Sequence, residues 1–165
     1  VDHASTTELM KDAFRRYPTG VAVITATGSE GPVGLTASSV ASVSVAPPAV
    51  SFSVMGTPSA RKLLRAPAFV IHLLGGRHAE LARNFSLAGG PRFTAEQGWA
   101  TLPSGEPLLT GALAALRGAP MHLVPVGAAT LVVASVTDVL LGPDDGRLIY
   151  HARQFVTAPL SPEGT

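Results

Sequence analysis

Near the start of the chain, apolar residues recur at helical spacing: Leu9, Met10, Ala13, Phe14 and Tyr17 share one face of a wound segment. Ahead of them Ser5-Thr6-Thr7-Glu8 has the form of a capping box, in which the serine hydroxyl takes a first-turn N–H and the glutamate reaches back. Pro18 predicts the end of this helix, because the residue before a proline is pushed out of the α region. The period then changes. Gly20 to Ala26 is a β-rich run closed by the turn cluster Gly28-Ser29-Glu30-Gly31-Pro32. Gly34 to Val45 and Ala49 to Val54 read as the next strands, parted by Ala46-Pro47-Pro48. Thr57-Pro58-Ser59 predicts an N-cap with proline at the first helical position, opening a short helix to Arg65. Phe69 to Leu74 is a buried strand by its length and β-branching, and Arg77 to Leu87 is a helix with Leu81 and Phe85 on one face.

From Ala88 to Gly105 the chain is turn-rich, yet it carries Phe93 and Trp99, so it is expected to pack against the body. Gly111 to Leu116, Met121 to Pro125 and Ala128 to Leu141 read as strands, the last long enough to bend around a barrel. Pro143-Asp144-Asp145-Gly146 reads as a hairpin turn that returns through Leu148-Ile149-Tyr150. Strands joined by turns, with two or three helices interrupting, predict a mainly β architecture with added helices, a closed barrel in preference to a doubly wound α/β sheet.

At 165 residues the chain is expected to form one domain, spanning 1–165. The absence of cysteine excludes a disulfide framework, a thiolate metal site and a cysteine nucleophile. Twelve basic against 11 acidic side chains leave no electrostatic footprint for nucleic acid. Only 14% of residues are charged, against a usual value of about 25%, and a surface so poor in charge is expected to be partly covered in a homo-oligomer. No run approaches the ~18 apolar residues of a membrane span, and no secretory signal is visible, so a cytoplasmic location is expected.

Most familiar chemistry finds no footing. Dinucleotide, Walker, zincin and nucleophile-elbow motifs are absent. Ser59-Ala60-Arg61-Lys62 matches the acylating S-x-x-K pair without its partner motifs, and reads as an ordinary helix start. The five histidines offer no ligand spacing, so no metal site is expected; nor does any carboxylate pair stand out, so no catalytic side chain is assigned. An enzyme so built would leave the hard chemistry to a cofactor. One segment is unusually polar for its setting. Gly34 to Ser44 has Thr or Ser at five of 11 positions, all small and none charged. Such a strand either turns its hydroxyls to water or lets a flat ligand approach its backbone.

The blocks Phe14-x-x-Tyr17-Pro18-Thr19-Gly20-Val21-Ala22-Val23-Ile24-Thr25, Gly34-Leu35-Thr36-Ala37-Ser38-Ser39-Val40, Ser42-Val43-Ser44 and Pro47-Pro48-Ala49-Val50-Ser51-Phe52-Ser53, in this order, resemble the flavin reductase-like family. Glu80-Leu81-Ala82-x-x-Phe85, Phe93, Trp99 and Leu148-Ile149-Tyr150 continue the likeness over nearly the whole chain. The family comprises the short-chain NAD(P)H:flavin oxidoreductase components of two-component monooxygenases. The resemblance implies an FMN-binding split β-barrel with Greek-key strands, a homodimer, FMN or FAD near the subunit interface, NADH or NADPH as co-substrate and a separate monooxygenase as partner. It implies that Thr36, Ala37, Ser38, Ser39 and Val40 line the flavin, that Ser53 and Ser59 sit by the ribityl-phosphate, and that Phe85 lies near it. Arg92 stands where a basic residue could meet a phosphate, and Tyr150-His151-Ala152-Arg153 matches the stretch that approaches the nicotinamide nucleotide. The implied chemistry is hydride transfer between stacked rings, which needs no side-chain base. One departure stands out: the family's Gly-Asp-His is Gly127-Ala128-Ala129 here, which keeps open a flavin carrier or sensor that does not use nicotinamide efficiently. An unrelated small barrel without cofactor is the remaining alternative.

Overall fold

The computed structural model describes residues 4–160. Along the chain run α1 (Thr6–Arg15), β1 (Thr19–Gly20), β2 (Ala22–Gly28), β3 (Gly31–Ala37), β4 (Ala41–Val45), β5 (Pro48–Met55), α2 (Pro58–Arg65), β6 (Phe69–Leu73), α3 (Ala79–Ser86), β7 (Trp99–Thr101), β8 (Pro107–Leu109), β9 (Ala114–Val126), β10 (Ala129–Leu141), β11 (Arg147–His151) and β12 (Gln154–Ala158). The capping box forms as the sequence predicts: the Ser5 hydroxyl accepts from the Glu8 N–H at 3.2 Å and the Glu8 carboxylate accepts from the Ser5 N–H at 3.0 Å. Thr57 caps α2 by accepting from the Ala60 N–H at 3.2 Å, with Pro58 in the first turn where its missing donor costs nothing.

Seven antiparallel strands form one sheet in the order β3-β2-β6-β9-β10-β5-β4. Strands β1, β11 and β12 make a second sheet, and β7 and β8 a small third. The expected closure is corrected. β3 and β4 are consecutive in the chain but occupy the two opposite edges of the seven-stranded sheet, so among the described residues no hydrogen-bonded ladder closes the barrel and it is split between them. The polar stretch expected as one strand from Gly34 to Val45 breaks at Ser38-Ser39-Val40, the segment that crosses this seam.

Strand β2 shows why the body has two layers. Ala22, Ile24 and Ala26 enter the barrel interior with Phe52, Leu63, Phe69, Ile71 and Val132, where the Phe52 and Phe69 rings meet edge-on at 5.4 Å. Val23, on the opposite face of the strand, joins Val21 just before it in packing with Leu74, Leu81, Phe85, Leu109 and Leu148, which fixes α3 and the second sheet to the barrel wall. A strand buried on both faces reads as a continuous apolar run. Trp99 and Phe93 pack on this outer cluster, as expected of the turn-rich stretch. His72 ties the layers together: it is fully buried, receives the Leu109 N–H at Nε2 (2.9 Å), and donates from Nδ1 to the Val23 carbonyl at 3.0 Å.

Three boundaries differ from expectation. The strands expected at 111–116 and 121–125 are one continuous strand, β9, which passes Gly118 because its partner β10 bulges beside it. The helix expected from Arg77 opens with a single 3₁₀ turn, Gly76–His78, before α3. Finally, Pro143–Gly146 is no hairpin turn, since it carries the chain from the seven-stranded sheet to the second sheet. The hairpin lies further on, between β11 and β12, where His151 pairs with Gln154 around Ala152 and Arg153.

Candidate functional site

Thr36, Ser38, Tyr150 and Arg153 come together, although more than 110 residues separate the first from the last. They line a cavity of about 450 Å³ with Arg83, Ser86, Leu87, Gln154 and Phe155. Its walls are the end of β3, the outer turns of α3 and the β11–β12 hairpin. The Thr36 hydroxyl donates to the Ala82 carbonyl at 2.6 Å and so holds α3 against β3. The Tyr150 and Phe155 rings lie 5.1 Å apart with a 45° tilt and give the cavity an aromatic wall. Among the described residues, no carboxylate and no histidine lines it.

The hairpin tip is conformationally expensive. Ala152 and Arg153 have φ of 50° and 62°, the left-handed region that a two-residue hairpin needs and that side chains other than glycine and asparagine avoid. The Ala152 N–H donates to the Arg15 carbonyl at 3.1 Å, which fastens the tip to the C-terminus of α1. His151 is exposed on the same hairpin and does not line the cavity.

The remaining candidates fall elsewhere in the chain. Ala37 points into the barrel core, and Val40 packs against that core at the seam. Ser39 binds across the seam to β5, accepting from the Ser53 N–H at 2.9 Å and donating to the Ser53 carbonyl at 3.2 Å. Ser59 and Arg92 line a second cavity, of about 700 Å³, between the β2–β3 turn, the start of α2 and Phe93. Lys62 and Arg65 are there too, and Lys62 is paired with Glu30 at 2.9 Å, which holds the Glu30 carboxyl below its ordinary range. Phe85 is buried in the outer core, edge-on to Phe93 at 5.3 Å, so its ring faces protein on all sides. Ala128 is exposed at the tip of the β9–β10 hairpin, and neither it nor Ala129 lines either cavity.

Arg83, Ser86, Leu87, Gln154 and Phe155 escaped the reading of the sequence. Arg83 occupies an unspecified position of the Glu80-Leu81-Ala82-x-x-Phe85 block. The available signal was helical phase, which turns Arg83 away from the buried face of Leu81, Ala82 and Phe85.

The split antiparallel barrel thus carries a hydroxyl-edged, aromatic-walled cavity whose charged lining residues, among those described, are the two arginines. The chain belongs to the flavin reductase like domain family, whose model matches residues 14–159. It is 43% identical over 148 residues to the NADH:FMN oxidoreductase of Rhodococcus erythropolis, an alignment covering 87% of this chain and 77% of that one. The fold is similar to the Streptomyces globisporus C-1027 NADH:FAD oxidoreductase SgcE6 in complex with NAD and FAD fragments (TM-score 0.86, 27% identity, all of both chains). It is also similar to the styrene monooxygenase flavin reductase of Pseudomonas putida S12 (TM-score 0.80, 28% identity, 93% of this chain and 99% of that one).

Proposed function

We propose that the protein is an NADH- or NADPH-dependent flavin reductase that takes FMN or FAD and supplies reduced flavin to a separate monooxygenase. The observation that carries this reading is the first cavity: hydroxyls of Thr36 and Ser38 on one side, the Tyr150–Phe155 pair on the other, and two arginines with no carboxylate among the described lining residues. Those residues suit a planar ring system joined to phosphate. Bound flavin supplies the hydride acceptor; the chain itself orients and shields. Thr36 fixes the wall formed by α3, the aromatic pair offers a face for stacking, and the arginines balance phosphate charge. That no base lines the cavity among the described residues agrees with chemistry in which position does most of the work.

The same reading makes the protein a homodimer acting in the cytoplasm, where reduced nicotinamide nucleotides are made. Its support is the apolar surface of a single chain. None of the residues of α1 is buried, and Leu9, Met10, Phe14 and Tyr17 all stand exposed. The β9–β10 ladder adds Leu123 and Val126 at one end and Leu140 and Leu141 at the other. A ten-residue helix is marginal alone, so its apolar face needs a cover. None of the helices among the described residues is long and apolar enough to cross a membrane.

The carrier or sensor alternative rested on Gly127-Ala128-Ala129. In a single chain those residues lie outside both cavities, so their small size removes nothing from the walls just described. Anaerobic mixing of the flavin-loaded protein with NADH and with NADPH tests the choice. Bleaching of the oxidised-flavin band with either nucleotide is expected; retention of colour with both, while flavin stays bound, rejects the reductase.

A further inference from the structure

Two arginines in the first cavity have no partner among the described residues. Arg83 stands on α3 and Arg153 at the tip of the β11–β12 hairpin, and neither guanidinium makes an ion pair or hydrogen bond there. Most other arginines are engaged: Arg15, Arg77, Arg117 and Arg147 pair with carboxylates, and Arg61 and Arg92 donate to backbone carbonyls. Among the described residues, no acidic side chain lines the cavity. Two like charges gathered without a counter-charge repel each other, and an anion between them turns that repulsion into attraction.

The backbone adds an independent observation. Arg153 sits at φ 62° directly after Ala152 at φ 50°, in a turn that Asn-Gly or Asp-Gly would form with less strain. The strained tip delivers the Arg153 side chain to the cavity, and the bond from the Ala152 N–H to Arg15 holds it there. A guanidinium presents a planar fork of donors suited to phosphate oxygens, which a lysine does not reproduce.

We propose that Arg83 and Arg153 form a two-armed clamp for the phosphate or diphosphate of a nucleotide, with Arg83 selecting phosphorylated over unphosphorylated forms of its ligand. The flavin reductase reading identifies the nucleotide; the clamp itself needs only the anion. A flavin phosphate and a dinucleotide diphosphate share this chemistry, and ligand pairs differing only in phosphate separate them.

Calorimetric titration of wild type, Arg83→Ala, Arg153→Ala and Arg83→Lys with inorganic pyrophosphate tests the clamp without turnover. Both arginines are exposed, so the variants are expected to keep the wild-type urea midpoint. Each alanine variant is expected to bind pyrophosphate about 10–100-fold more weakly, with partial recovery in the lysine variant. Fluorescence quenching with FMN against riboflavin, and competition by NAD⁺ against nicotinamide riboside, then locate the phosphate. A loss confined to FMN places it on the flavin; a loss confined to NAD⁺ places it on the dinucleotide. Absence of pyrophosphate binding to wild type, wild-type affinities in both alanine variants, or equal losses for phosphorylated and unphosphorylated ligands would overturn the clamp. A wild type that binds pyrophosphate through Arg83 but never bleaches with nicotinamide nucleotides removes the reductase and leaves the clamp. Normal bleaching with every affinity unchanged in Arg83→Ala does the reverse.

Discussion

The guanidinium of Arg92 donates to the carbonyl of Phe85 at 3.0 Å while its central carbon lies 5.4 Å from the centroid of the same residue's ring. Three further carbonyls, those of Gly34, Leu87 and Gly90, accept from it at 3.0–3.2 Å. One arginine thus gathers the end of α3, the loop after it and strand β3, and burial draws its pKa below the ordinary arginine value. Arg92→Ala is expected to cost about 2 kcal/mol of stability, because it strands carbonyls that are partly shielded from water. Arg92→Lys should recover little, since an ammonium cannot reach the same set of acceptors. Urea midpoints at constant slope measure both; a variant with undiminished stability and weakened flavin affinity would make Arg92 a ligand contact instead of a clasp.

Acid should loosen the fold through His72. Desolvation by burial lowers its pKa to about 4 and outweighs the hydrogen bond to the Val23 carbonyl, which pulls the other way. The unfolded chain takes up this proton near pH 6.5 and the folded chain refuses it. Stability from this source is therefore whole above pH 6.5 and falls by about 3 kcal/mol as the pH drops toward 4. His78, also depressed mainly by burial, adds to the loss in the same direction. Glu106 acts on the acid side of this window: burial pushes its carboxyl up, but hydrogen bonds from Arg117 and Ser104 outweigh it and hold the pKa below 4.5. Urea unfolding at several pH values between 7.5 and 4.5 should show the slope, and His72→Asn should flatten it. The assignment fails if both proteins lose stability in parallel.

The apolar hairpin predicts its own cover. Val126 is 66% exposed and Leu141 85%, at the two opposite ends of the β9–β10 ladder. Light scattering on a sizing column should find two copies for wild type. Leu123→Glu with Val126→Glu should yield one copy with its far-ultraviolet spectrum retained. A wild-type monomer at micromolar concentration would contradict this.

Ser39 bridges the seam with a single hydroxyl that both accepts from and donates to Ser53. Ser39→Ala is expected to cost about 1 kcal/mol and to weaken FMN quenching by roughly tenfold, with Ser39→Thr restoring both. Equal quenching in wild type and Ser39→Ala would detach the seam from ligand binding.

Helix caps and the barrel class were legible because they rest on local chemistry: Ser5 with Glu8, Thr57 with Pro58, and strand runs closed by glycine and proline. What stayed hidden depends on partners distant in sequence. Gly118 looks like a break in isolation, and only the bulged register of β10 opposite shows that the strand runs through it. Asp144-Asp145-Gly146 has hairpin chemistry, yet Asp145 pairs with Arg77 and the loop crosses between sheets. Thr36, Ser38, Tyr150 and Arg153 were found through the family blocks and do share a cavity. Arg83 was missed because an exposed helical arginine carries no mark in sequence of what it faces.

Between Ala37 and Ala41 the polypeptide passes from one rim of the seven-stranded sheet to the other. Four steps of extended chain span at most about 14 Å, so this short tether limits how far the barrel's girth can open. Midway along it, Ser39 is bonded to Ser53, so the crossing is pinned to β5 as well as to its own two ends. Lengthening the stretch by one residue would slacken the whole hoop.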